Sequence, residues 1–191
     1  MRFCSIASGS SGNCIYVGSD NTHVLVDIGI SGKKMETGLN SLELTGRDLD
    51  GILITHEHSD HIKGLGVISR KYGIPIYATA GTVDAMVRTN ALGKIPEGIF
   101  HEIQENEPFM INDLKVNPFT IPHDAAQPVG YRLEHEGHSV GIATDLGKYN
   151  DYIIENLQGL DALLLEANHD IRMLQVGKYP YYLKQRILGD R

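Results

Sequence analysis

Thr55-His56-Glu57-His58-Ser59-Asp60-His61 is the stretch on which the reading of this chain turns. It offers three imidazoles and a carboxylate within six residues, directly after the apolar run Ile52-Leu53-Ile54. His56 and His58 are two apart, so on extended backbone their side chains point the same way. Glu57, between them, should point away and act structurally. Asp60 and His61 follow where the chain turns into a helix expected over 59–71, capped by Ser59 or Asp60. They can therefore reach a second point a short distance on, and one segment can serve two cations. Imidazole nitrogens with a carboxylate suit Zn²⁺, Mn²⁺ or Fe. A surface turn that merely happens to hold histidines does not account for this spacing at the end of a buried strand.

Outward from this segment, residues 3–7, 13–17, 22–28 and part of 49–55 read as strands, with Ser8-Gly9-Ser10-Ser11-Gly12 as a turn-rich loop. Downstream, 74–78 reads as a strand and 81–92 as a helix. Residues 109–110, 114–121, 129–134, 139–144 and 162–166 are further strand candidates, and 150–157 a helix. Hairpin-like strands thus mix with strand–helix–strand units, which implies an α/β protein whose sheets are covered by helices. No repeat or Pro/Ser-rich linker divides the chain, so residues 1–191 are expected to form one domain. Residues 179–188 resemble the start of a helix, and the sequence stops at Arg191 with no closing strand, so a shortened C-terminus is expected.

Composition narrows the function classes. With 191 residues and 41% hydrophobic content, a sizeable core is possible without disulfides. The two cysteines, Cys4 and Cys14, lack a CxxC pattern and read as reduced apolar residues. No apolar run reaches the ~18 residues of a membrane helix, and the N-terminus lacks a secretory stretch, so the expected location is the cytoplasm. The formal net charge of −7 argues against broad nonspecific nucleic-acid binding. A nucleic-acid substrate remains open, because divalent cations would offset carboxylates locally. Nine histidines are many for this length, and metal ligation is the first explanation.

The HxHxDH pattern of residues 56–61 resembles the signature of the metallo-β-lactamase superfamily. Val24-Leu25-Val26-Asp27-Ile28-Gly29 resembles its first motif, in which Asp27 would support the metal loop instead of binding metal. His123, in Ile121-Pro122-His123-Asp124, resembles the third motif. Asp145, in Gly141-Ile142-Ala143-Thr144-Asp145-Leu146-Gly147, resembles the fourth, a bridging carboxylate. A narrower likeness is to the YycJ/WalJ-type bacterial exonuclease-like proteins. It is carried by Ser5-Ile6-Ala7-Ser8-Gly9-Ser10-Ser11-Gly12-Asn13-Cys14, by Leu163-Leu164-Leu165-Glu166-Ala167-Asn168-His169-Asp170 and by Leu183-Lys184-Gln185-Arg186-Ile187-Leu188. The superfamily's fifth motif, a last His completing the second metal site, is expected just beyond an Arg like Arg191, so this sequence ends before it and weakened occupancy of that site is the expectation.

The resemblance implies a metallo-β-lactamase-like αββα sandwich of two mixed sheets with outer helices. It implies two divalent metal ions, Zn or Mn with Fe as a further candidate. His56, His58 and His123 would hold the first, Asp60 and His61 the second, and Asp145 both. The ions would acidify a shared water towards about pH 7. Asp60 would orient that nucleophile or accept its proton. The implied activity is a metal-dependent phosphodiesterase or nuclease, 5′–3′ DNA exonuclease-like, with nucleic acid, DNA in particular, as partner. A small-molecule hydrolase (lactonase or thioesterase) and a non-catalytic metal-stabilised binding module are the alternatives. A basic groove at the metals would favour the nuclease, a closed apolar pocket the small molecule.

Other residues are less decisive. Loop 8–13 could cradle phosphate through backbone N–H groups, or be a plain hairpin turn. Lys33, Lys34, Lys63, Arg70, Lys71, Lys178, Lys184 and Arg186 could contact phosphates or be solvated surface. His169, after the strand at 162–166, could protonate a leaving oxygen or be a hydrogen-bonded histidine. His23, His101, His135 and His138 lack a partner pattern and read as surface or loop residues.

Overall fold

A computed structural model describes residues 1–166. One mixed sheet holds β1 (Arg2–Ala7), β2 (Cys14–Gly18), β3 (His23–Val26), β4 (Gly51–Leu53), β5 (Ile76–Thr79) and β6 (Phe100–Ile103) in sequence order. Its first three strands pair antiparallel and the rest parallel. The second sheet is ordered β11-β10-β9-β8-β7. It comprises β7 (Phe109–Ile111), β8 (Leu114–Thr120), β9 (Val129–His135), β10 (His138–Ala143) and β11 (Ala162–Leu165). All its pairings are antiparallel except β10–β11.

Alternation along the strands sets the layers. In β2, Ile15 and Val17 point into an apolar cluster between the sheets, while Cys14 and Tyr16 point into a second cluster on the opposite face. β3 repeats this, with Val24 and Val26 inside the sandwich and Leu25 outside. Both faces being apolar, the first sheet must be covered on its outer side as well. That cover is α1 (Gly32–Ser41), α2 (Ser59–Ile62), α3 (Leu65–Tyr72) and α4 (Ala80–Arg88), through Met35, Leu39, Ile62, Leu65, Ile68, Val83 and Met86. On the far side, α5 (Asp151–Leu157) brings Tyr152 and Leu157 against Phe119, Ile121 and Ala143. The four-layer αββα order expected from the resemblance is the order observed.

Three local features differ from the sequence reading. The helix expected over 59–71 is two helices. Gly64 N–H donates to Ile28 O at 2.8 Å, and a Cβ at Gly64 would lie 2.1 Å from Ile30 O, so the chain breaks there to dock on the segment after β3. The first of the two starts at His58 with no side-chain cap, instead of being capped by Ser59 or Asp60. α1 and β6 have no counterpart in the sequence reading: α1 buries only Met35 and Leu39, and β6 is a half-exposed edge strand. No helix among the described residues is long and apolar enough to cross a membrane.

Candidate metal centre

The site lies where chain segments leave the carboxyl ends of strands: Asp27 after β3, residues 55–61 after β4, His123 after β8 and Asp145 after β10. Its floor is backbone. Ile28 and Gly29 run between loop 8–13 and α2. Ile28 N–H donates to His61 O at 2.7 Å, Gly29 N–H to Asn13 O at 2.7 Å, and Asn13 N–H to Asp60 O at 2.7 Å. Only glycine fits at position 29, where a Cβ would fall 1.6 Å from Asp60 O.

On this floor stands a buried polar hub. Asp27, Thr55, His56 and His61 are all 0% exposed. Asp27 Oδ1 accepts from Thr55 N–H at 2.9 Å, and Oδ2 accepts from Thr55 Oγ1 at 2.8 Å. Asp27 Oδ2 also lies 2.7 Å from His61 Nδ1. Proton counting then assigns the rings. The carboxylate can only accept, so His61 carries its proton on Nδ1. The single Thr55 hydroxyl proton goes to Asp27, so His56 Nδ1, 3.0 Å from Thr55 Oγ1, must be the donor there. Both rings are thereby left with Nε2 facing the site, the arrangement in which an outer partner orients a ligand histidine.

The remaining donors converge on those nitrogens. His58 Nδ1 lies 3.1 Å from both His56 Nε2 and His123 Nε2. Asp145 Oδ2 lies 2.8 Å from His61 Nε2 and 3.8 Å from His56 Nε2. Two overlapping groups result, His56–His58–His123 and His56–His61–Asp145, each with ligand atoms within 4.8 Å of one another. His58 Nδ1 has one lone pair or one proton, so at most one of its two 3.1 Å contacts is a good hydrogen bond. The N···N separations approach the ~3.3 Å edge of a ligand tetrahedron around a cation at about 2.0–2.1 Å. The donor set thus fits divalent metal.

The electrostatics agree. Burial, then the neighbouring His61, His123 and His58, hold His56 far below the ordinary histidine range, so it stays neutral. Burial also opposes charge on His61, but the Asp27 and Asp145 carboxylates outweigh it and push the pKa up to about 10. For Asp145 burial is likewise outweighed, by His61 and then His123 and His58, and its carboxyl is held below the usual range. The space between His61 and Asp145 therefore favours positive charge.

Asp60 sits at the rim, 32% exposed, with Oδ2 3.7 Å from His61 Nε2. Glu57 joins neither donor group, and its Oε1 accepts from Ala126 N–H at 2.8 Å, tethering the loop that carries His123. His169 lies outside the described residues, as do Lys178, Lys184, Arg186 and the expected helix at 179–188. Loop 8–13 offers less backbone than the cradle reading requires: the N–H groups of Gly9, Gly12 and Asn13 all donate within the protein. Among the basic residues, Lys71 pairs with Glu36, and Arg70 donates to Leu92 O and Lys94 O, while Lys33, Lys34 and Lys63 are exposed. The four remaining histidines are all strand residues with partners: His23 meets Tyr16 Oη at 2.8 Å, His101 stacks on Tyr77, His135 approaches Asp113 O, and His138 lies 3.5 Å from Asp161 Oδ2. Two contributors carried no separate signal in the sequence. Thr55 stood inside the ligand motif without a role, and Asn13 stood in the glycine loop.

The family described as "Beta-lactamase superfamily domain" matches residues 22–178. Exodeoxyribonuclease YycJ of Bacillus anthracis is 42% identical over 190 residues, covering 100% of this chain and 71% of the relative. Exodeoxyribonuclease WalJ of Streptococcus pneumoniae serotype 2 is 41% identical, again over 100% of this chain and 71% of the relative. Among solved structures, zinc-bound PqqB from Methylobacterium extorquens superposes with a TM-score of 0.72 at 19% identity, over 88% of this chain and 64% of that one. At that identity the likeness speaks for the fold alone.

Proposed function

The chain belongs to the metallo-β-lactamase superfamily, and from that premise we propose that it is a divalent-metal-dependent phosphodiesterase acting on nucleic acid, a 5′–3′ DNA exonuclease-like hydrolase. The observation that carries the metal half of this reading is the pair of overlapping donor groups His56–His58–His123 and His56–His61–Asp145. The phosphodiester half is supported by the similarity to YycJ and WalJ, both named exodeoxyribonucleases. We read residues 1–191 as one domain, and two ions, Zn²⁺ or Mn²⁺, as its cofactors.

In this reading His56, His58 and His123 hold one ion, His61 and Asp60 belong to the other, and Asp145 serves both. Bound there, the ions would act as Lewis acids on the phosphoryl oxygens and acidify water near neutral pH. The protein's own contribution is orientation and proton handling. Asp27 and Thr55 hold His61 and His56 with Nε2 forward. Asp60, at the rim beside His61, is the carboxylate placed to orient an attacking water or take its proton. Glu57 keeps His123 in register through Ala126.

The test is cleavage of 5′- and 3′-labelled DNA strands by the purified protein with Mn²⁺ or Zn²⁺, beside Asp60→Ala. Metal-dependent shortening from one end, reduced at least about a hundredfold in the variant, is the expected result. No metal-dependent cleavage of any labelled strand would sink the nuclease reading.

A further inference from the structure

Asn13 is 1% exposed, and its neighbours set the direction of its amide. Oδ1 accepts from Gly9 N–H at 2.9 Å, so the other end, Nδ2, faces His61 Nε2 at 3.1 Å. That same ring nitrogen lies 2.8 Å from Asp145 Oδ2. The two contacts make opposite demands, since a carboxylate only accepts and an amide NH₂ only donates. A protonated Nε2 suits Asp145 but turns N–H against N–H at Asn13. A bare Nε2 suits Asn13 but sets its lone pair against those of Asp145. A ring protonated at both nitrogens serves Asp27 and Asp145 together, yet still opposes an N–H to the Asn13 amide.

A divalent ion ligated by His61 Nε2 and Asp145 resolves the conflict with Asp145. It also occupies the lone pair to which Asn13 donates. A buried amide donor, fixed at its other end by Gly9, is then left at the ligand cluster without that acceptor. A donor beside a cation is matched by an anionic oxygen that can contact both. We propose that Asn13 Nδ2–H binds a non-bridging oxygen of the phosphate undergoing hydrolysis, making Asn13 a catalytic residue of the site; this rests on the phosphodiesterase reading above.

This assignment also accounts for the glycines of the loop. Gly9 and Gly12 have φ of +130° and +141°, and a Cβ at Gly12 would lie 2.4 Å from Gly29 O. The loop uses that freedom to press against Gly29 and deliver one side-chain amide, having spent the N–H groups of Gly9, Gly12 and Asn13 on its own turn and on α2.

The experiment compares wild type with Asn13→Ala and Asn13→Asp, each loaded with Zn²⁺. Three quantities are read: metal bound per chain, affinity for inorganic phosphate by calorimetry, and kcat and KM on labelled DNA. Asn13→Asp retains an acceptor for Gly9 N–H and the side-chain shape, so it carries the test if Asn13→Ala does not fold. Expected are unchanged metal content, phosphate binding weakened about tenfold or more, and loss concentrated in kcat. Phosphate affinity equal to wild type in a metal-loaded variant overturns the proposal. So does loss of metal with phosphate affinity per loaded site unchanged, which makes Asn13 only a support for His61. Phosphate binding is independent of cleavage: a protein that cuts no DNA yet loses phosphate affinity on Asn13→Ala retains this assignment and loses the nuclease reading.

Discussion

The Asp27 carboxylate and the His61 imidazole meet at 2.7 Å with both side chains fully buried. They come from different strand ends, 34 residues apart. Asp27 adopts φ of +60°, a left-handed conformation uncommon outside glycine, and so does Asp145 at +55°. Two acidic residues held in that region at one site indicate that the surrounding packing dictates their positions. Asp27→Asn keeps the shape but offers an NH₂ where His61 needs an acceptor. The expected outcome is a 10- to 100-fold loss of metal affinity at the His56–His61–Asp145 group and destabilisation of about 3 kcal/mol. Metal titration and denaturant unfolding measure the two separately; unchanged affinity would remove Asp27 from the orienting role.

Thr55 should behave as the tautomer lock of His56. Thr55→Val preserves volume but leaves His56 Nδ1–H without its acceptor and removes one donor from Asp27. A cost of about 1–3 kcal/mol follows, with weaker metal binding at the three-histidine group. Thr55→Ser restores the hydroxyl and should recover both. The optical spectrum of the Co²⁺-substituted protein reports the ligand set directly. Equal spectra and affinities for Val and Ser variants would show the hydroxyl to be irrelevant.

Gly29→Ala forces a Cβ into Asp60 O, backbone against backbone, where no side chain can yield. The expected destabilisation exceeds about 3 kcal/mol, with metal content falling in parallel, because α2 carries Asp60 and His61. Gly137→Ala is the control. Its φ is +80° but nothing lies within 4 Å of the added Cβ, so only the ~1–2 kcal/mol of left-handed strain applies and metal content is retained. Thermal melts and metal analysis of the two variants should separate clearly.

Away from the site, Asp113 clamps the β2–β3 turn to the β7–β8 turn. Hydrogen bonds from Thr22, then Ser19 and Asn21, hold its carboxyl below the usual range. A lowered folded pKa stabilises above the unfolded value of about 3.9, and that contribution disappears as pH falls through the folded value. Asp113→Asn should therefore be less stable than wild type at pH 7, and the gap should narrow in acid. Urea unfolding at pH 7, 5 and 3 checks this; a gap that persists undiminished at pH 3 contradicts the assignment.

Much of the architecture was legible because the strands are short apolar, β-prone runs bounded by turn residues, as in Cys14-Ile15-Tyr16-Val17 after the glycine loop; which face each of these residues takes was settled only by the two sheets' packing. α1 escaped because only Met35 and Leu39 face the core, leaving too thin an apolar stripe in a Lys-, Gly- and Ser-containing segment. The break at Gly64 escaped because its cause is the carbonyls of Ile28 and Ile30, on another segment.

His56, His58, Asp60 and His61 stand out in the sequence because metal chemistry demands particular side-chain types at short spacing, whereas His123 and Asp145 were expected only from the resemblance; the structure gathers all of these but Asp60 into the two donor groups. The amide of Asn13, the hydroxyl of Thr55 and the choice of ring nitrogen on His56 and His61 could not be read from the sequence. Those depend on partners brought together only by folding: Asn13 meets His61 across 48 residues and Thr55 meets Asp27 across 28. Ligand identity is a property of residue type, whereas proton placement is decided by the neighbours that the tertiary structure supplies.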